Sequence, residues 1–131
     1  MKISDLISFK GISERAKNLI DENGEVIKYK IGEPISTDEI VPNKIQIIIE
    51  GEARLIDFEN IGSNSMKRPK TIAKYGTGSI IGLISLLNSE GCERVNAMNQ
   101  VTTVSLSDEI ILELYKTEEA FADYCNNNLF P

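Results

Sequence analysis

The chain has 131 residues, 41% hydrophobic and 26% charged, which suits one globular unit with a proper core and is too short for two ordinary ones. A net charge of −6 argues against unaided nucleic-acid binding, because phosphate contacts supply most of that affinity. No histidine occurs, which removes Ser-His-Asp and Cys-His catalysis and every zinc site that needs imidazole.

The first pattern is helical. Ser13 is placed to cap, Ile12, Ala16, Leu19 and Ile20 share one face, and Asn23-Gly24 ends the segment. An earlier turn or two around Leu6, Ile7 and Phe9 is expected to pack against it. From residue 25 the period changes to two: Val26 to Lys30 reads as a strand, Gly32-Glu33-Pro34 as a break, and Ile35 as the start of another short extended piece. Lys44 to Ile49 is a β-branched strand. Glu50-Gly51 reads as a hairpin turn, with Glu52 to Phe58 as the returning strand. Residues 59–70 have no period and read as a long hairpin loop, and the basic Lys67-Arg68-Pro69-Lys70 within it reads as solvated. Thr71 to Tyr75, Arg94 to Ala97 and Val101 to Leu106 complete the strands. Ser107 then caps a helix that turns Ile110, Ile111, Leu114 and Tyr115 inward, and Thr117-Glu118-Glu119 opens another that buries Phe121, Tyr124 and Cys125.

Seven or eight short strands at regular spacing, preceded and followed by helices, predict a mainly β molecule: an antiparallel β-roll or jelly roll with helical 1–24, β-roll 25–106 and C-terminal helices 107–128. Cys92 and Cys125 are far apart and outside any CxxC motif, and read as free thiols of a reducing cytosol. The N-terminus lacks the blocks of a signal peptide, and no apolar run approaches the ~18 residues of a membrane span, so a cytoplasmic setting is expected. Asp38, Glu39, Glu50 and Glu52 sit at turns without calcium-loop spacing and read as solvated. No metal is expected, and composition singles out no cofactor.

The most informative stretch runs from Tyr75 through Gly76, Gly78 and Gly82 to Leu87. It predicts a tight corner followed by the N-terminus of a short helix, where free backbone N–H groups favour an anion. Together with Tyr29-Lys30-Ile31-Gly32-Glu33-Pro34-Ile35 and Ile47-Ile48-Ile49-Glu50-Gly51-Glu52-Ala53, this stretch resembles, in order and spacing, the framework of the cyclic-nucleotide-binding domain family, the sensor module of Crp-like regulators, nucleotide-dependent kinases and some channels and transporters. The resemblance covers about residues 9–125 and implies a phosphate-binding cassette at Gly82, Leu83, Ile84 and Ser85. It further implies that a glutamate directly after the cassette glycine holds the ribose and that an arginine past the helix holds the phosphate. The glutamate position is Leu83; the arginine position falls at or near Cys92, with Arg94 close by but out of register. Losing both contacts weakens nucleotide binding by on the order of 3–6 kcal/mol, or ~10²- to 10⁴-fold.

Each candidate also has a plain reading. Leu83 reads as a core leucine, Ser85 as local capping, Cys92 as a small buried hydrophobe, and Arg94 as a strand-face arginine pairing Glu93 or Glu90. The expectation is a non-catalytic regulatory domain with a degenerate cyclic-nucleotide pocket, acting on downstream domains of the same chain through its C-terminal helices, with a homodimer also open. The tail, Phe121 to Pro131, resembles the junction after the N-terminal domain of bacteriocin-type ABC exporters, so a cut through a longer transporter is expected, with this domain on the cytoplasmic face. The alternatives are a working cAMP or cGMP sensor, using Arg94 and Ser85 in place of the lost contacts, and the effector half of a Crp-like transcription factor. A cupin-like enzyme is disfavoured by the missing histidines.

Overall fold

Ser13 opens the first helix, α1 (Glu14–Asn23), by accepting from the Ala16 N–H at 3.1 Å. Its apolar face, Ala16 and Ile20 fully buried and Leu19 partly so, packs beside Ile12 as the sequence predicts. The structure, a computed structural model, describes residues 11–37, 39–61, 66–91 and 93–128. Leu6, Ile7, Phe9, Asp38, Cys92 and the terminal Leu129, Phe130 and Pro131 lie outside the described residues.

Eight described strands follow: β1 (Glu25–Tyr29), β2 (Pro34–Ser36), β3 (Lys44–Glu50), β4 (Ala53–Ile61), β5 (Met66–Tyr75), β6 (Ile80–Ile81), β7 (Val95–Ala97) and β8 (Val101–Ser107). They form two four-stranded antiparallel sheets, ordered β1-β8-β3-β6 and β2-β7-β4-β5. Between β6 and β7 lies the short helix α2 (Leu83–Asn88), and after β8 come α3 (Asp108–Thr117) and α4 (Glu119–Asn127). Ser107 caps α3 by accepting from the Ile110 N–H at 3.3 Å.

The two faces of the first sheet belong to two cores. One face, with Ile45, Ile47, Ile80, Val104 and Leu106, is covered by Ile20 of α1, Ile111 and Leu114 of α3, and Phe121 and Cys125 of α4. Alternation along the same strands sends Ile48, Ile81 and Val101 to the other face, where they meet Ala53, Tyr75, Val95 and Ala97 of the second sheet. Among the described residues no helix is long and apolar enough to cross a membrane.

Two readings of the sequence are corrected. Glu50-Gly51 is not a hairpin turn. β3 and β4 lie in different sheets, so the chain crosses between layers there. Gly51 has φ +96°, and an added Cβ would overlap the Gln100 carbonyl oxygen, so both conformation and space demand glycine. Residues 59–70 are not a long loop: the β4–β5 ladder continues to Ile61↔Met66. Its register sets Asp57 opposite Lys70 and Glu59 opposite Arg68, and the sequence of this stretch lacks the hydrophobic alternation that marks a half-buried strand.

Candidate functional site

The glycine stretch builds the corner the sequence suggests. Gly78 N donates to the Ile48 carbonyl at 2.8 Å and Ile48 N to the Ser79 carbonyl at 3.0 Å, which staples the turn onto β3. Ile80 and Ile81 pair with Ile47 and Gln46, and Gly82 then turns the chain into α2 with φ +98°. An added Cβ on Gly82 would stand 3.2 Å from both Ile45 Cδ1 and Pro42 Cγ, so the corner fits closely against its neighbours.

The predicted pocket residues fall in different places. Leu83 is fully buried in the helix-side core and Ser85 is fully buried too, while Ile84 is half-buried. Arg94 sits just before β7 and makes an ion pair with Glu39 at 3.7 Å. Its carbonyl accepts from the Ile56 N–H at 2.8 Å, which anchors that residue to β4. The candidate position Cys92 lies outside the described residues.

The residue that sequence reasoning missed is Glu93. It is 2% exposed. Its Oε1 accepts from the Ser85 N–H at 2.9 Å and its Oε2 from the Gly82 N–H at 3.2 Å. A carboxylate of the chain itself therefore occupies the start of α2, taking the backbone donors that the glycine corner turns inward. Carboxylates bonded in this way are favoured by charge-assisted hydrogen bonds and by the positive end of the helix. The signal in the sequence was an acidic residue beside the arginine, and pairing those neighbours with each other hid it.

The C-terminal helices touch this corner directly. Tyr124 OH donates to the Gly78 carbonyl at 2.6 Å. Burial, with Cys125 adding to it, pushes the Tyr124 phenol up to about 12, so the donor proton stays in place through the ordinary pH range. Burial alone pushes the Cys125 thiol up to about 12, which makes it a core residue and not a nucleophile. On the far side, α1 clamps the α3–α4 junction. Ser13 Oγ donates to Glu118 Oε1 at 2.6 Å and Ser13 N to the same atom at 3.2 Å, while Arg15 reaches Glu113 at 3.0 Å, Thr117 at 2.7 Å and Glu118 at 3.4 Å. The Ser13 hydroxyl and N–H, followed by Arg15, hold the Glu118 carboxyl below the usual carboxylate range.

No family model matches the sequence, and no curated protein is similar to it in sequence. The fold does have solved counterparts. The catabolite activator protein of Thermus thermophilus is 22% identical with a TM-score of 0.67, over 91% of this chain and 54% of that one. A cyclic nucleotide-binding protein of Geobacter metallireducens is 18% identical with a TM-score of 0.66, over 91% and 83%. The regulatory subunit of a cAMP-independent protein kinase A from Trypanosoma cruzi, bound to guanosine, is 20% identical with a TM-score of 0.62, over 88% and 43%. This chain thus spans about half the length of the Thermus protein and less than half of the trypanosomal one. At these identities the likeness speaks for architecture alone: two antiparallel sheets with flanking helices, in the β-roll fold of cyclic-nucleotide-binding and Crp-like domains.

Proposed function

We propose that this chain is a non-catalytic regulatory domain whose cyclic-nucleotide cradle is closed by its own side chain. The observation that carries this reading is the Glu93 carboxylate on the Gly82 and Ser85 N–H groups. A cyclic phosphate seeking the same donors meets a negative charge already there. Displacing it forfeits two hydrogen bonds to a charged group, on the order of 3–6 kcal/mol, which corresponds to ~10²- to 10⁴-fold in affinity. Leu83 adds to the loss: at 0% exposure it is a core residue, with no oxygen to accept from a ribose hydroxyl.

The domain acts on its surroundings through α3 and α4. These helices are fixed at one end by the Ser13–Glu118 clamp and at the other by the Tyr124–Gly78 bond, so a movement of the cassette corner is a movement of α4. We read the parent as a larger protein with downstream domains, on the cytoplasmic side of an ABC exporter; the aromatic-Cys segment followed by Leu-Phe-Pro supports that setting.

The test is calorimetric titration of the chain with cAMP and cGMP. The expected result is no heat of binding with either. A dissociation constant in the tens of micromolar or tighter overturns the closed cradle and favours the working sensor. The gene sequence downstream tests the setting: a membrane span with an ATPase supports the exporter, and a helix-turn-helix replaces it with a transcription factor.

A further inference from the structure

The dipeptide that ends α1 joins two groups that react with each other once the chain lets them meet. Among the asparagines of the sequence, only Asn23 is followed by glycine. A glycine has no Cβ to shield its backbone nitrogen, so the Gly24 nitrogen has an open approach to the Asn23 side-chain carbonyl carbon, Cγ. Asn23 is also exposed, so water reaches the pair.

The fold holds both groups back. Asn23 is the last residue of α1, and its Nδ2 donates at 2.8 Å to the Leu19 carbonyl, one turn back along the helix. That bond turns the side chain away from the residue that follows. The Gly24 N–H in turn donates to the Ile20 carbonyl at 2.7 Å. The nucleophile and the group it would attack are thus tied to different carbonyls of the same helix. We propose that Asn23-Gly24 is a site of spontaneous deamidation, suppressed while the last turn of α1 is closed and released when it opens. In the open turn the Gly24 nitrogen attacks Asn23 Cγ and loses its proton to water. The new C–N bond replaces the bond to Nδ2, which takes up a proton and leaves as ammonia. Water then opens the resulting five-membered imide at either of its two carbonyls, giving aspartate or isoaspartate. Water enters, ammonia departs, and nothing is oxidised.

The product bears on α1. An aspartate adds negative charge to a last turn that already holds Asp21 and Glu22 and no basic residue, at the end of the helix where an anion is unfavourable. It also removes the donor to Leu19. Isoaspartate lengthens the backbone between residues 23 and 24 and so displaces Gly24 from Ile20. Because α1 braces the α3–α4 junction through Ser13 and Arg15, either product loosens the helix that carries that brace. The proposal does not depend on how the cassette corner is read.

The test incubates the intact chain at neutral pH, folded and unfolded in urea. Conversion is followed by mass spectrometry of the tryptic peptide 18–28, with fragmentation to place it on Asn23. The folded chain should react about thirtyfold more slowly than the unfolded one, the factor for opening two ordinary hydrogen bonds. Glu22→Gly, at an exposed position of the same turn, should react about threefold faster than wild type when folded, from its lower helix propensity, and at the wild-type rate in urea. Asn23→Asp, the aspartate product made directly, should melt at a lower temperature than the wild type. Four results overturn the proposal: no conversion in urea, equal rates folded and unfolded, an unaltered folded rate in Glu22→Gly, or an unaltered melting temperature in Asn23→Asp.

Discussion

The cassette corner and a cavity beside it, between β1, β2, β3 and the connection after β2, share a wall at Pro42, and buried polar groups around them fare in opposite ways. At the corner, two buried N–H groups are each met by an oxygen of Glu93, and the apolar neighbour Leu83 is sealed in the core. Beside the cavity, the Ser36 hydroxyl, just as inaccessible, is left without a partner among the described residues and is not exposed to the neighbouring hollow of about 330 Å³. The lesson is that inherited shape and present chemistry need not coincide. The region whose backbone resembles a ligand cradle is internally satisfied, and the region with unmet hydrogen-bonding capacity lies next to it.

The comparison is broken most violently by installing the acidic group that the cyclic-nucleotide-binding pattern places after the cassette glycine. Leu83→Glu puts a carboxylate at 0% exposure among Ile45, Leu114 and Phe121 of the helix-side core. The expected outcome is not a restored site but a loss of about 4 kcal/mol or more, measured by urea unfolding. A stable Leu83→Glu protein that binds cAMP would show the corner to be a poised pocket instead. Next in size is Glu93→Ala, which leaves the Gly82 and Ser85 N–H groups buried and unpaired and should cost about 2–4 kcal/mol. Glu93→Gln keeps an acceptor and should lose about half of that. Equal stability of all three proteins would mean that the carboxylate does not hold the corner.

A smaller effect tests the link from the corner to the last helix. Tyr124→Phe removes the bond to the Gly78 carbonyl and should cost about 1 kcal/mol, with faster amide hydrogen exchange in α4 and in the 76–79 turn together. Faster exchange in only one of the two would show that they are not coupled. The mildest test is pH. The folded Glu118 carboxyl titrates below its usual value, so its contribution is fully present above the ordinary carboxylate pKa and is lost as pH falls through the lower, folded one. Melting temperatures should therefore drop in acid more steeply for the wild type than for Ser13→Ala, which lacks the hydroxyl donor. Parallel curves would place the acid sensitivity elsewhere.

Local signals in the sequence proved dependable where a single residue decides the outcome. Ser13 and Ser107 cap where a short polar side chain precedes an apolar period, and Gly78 and Gly82 form a corner because few other residues accept their positive φ. The misreadings share one cause, which is that partners distant in sequence determine the result. Glu50-Gly51 carries the local marks of a hairpin, and only the pairing of β3 with β8 and of β4 with β7 turns it into a crossing between sheets. The β4–β5 ladder was hidden because the sequence of its outer half, Glu59 to Ile61 and Met66 to Lys70, lacks an alternating apolar pattern. Glu93 was hidden because a Glu-Arg neighbour pair reads as a solvated surface pair, whereas the fold buries the carboxylate on the backbone donors of α2. The cavity at Ser36 has no linear trace at all, since it needs a strand irregularity and walls drawn from three strands.

The Glu93 contact also bears on timing. A second messenger is synthesised, spreads and is destroyed, and a receptor reports by following its level. A carboxylate tethered eight residues from one of its donors and eleven from the other can be neither diluted nor hydrolysed, so its local supply never varies. If the cradle is closed as proposed, the domain keeps a constant posture along that axis, and what it conveys to its neighbours depends on another part of its surface.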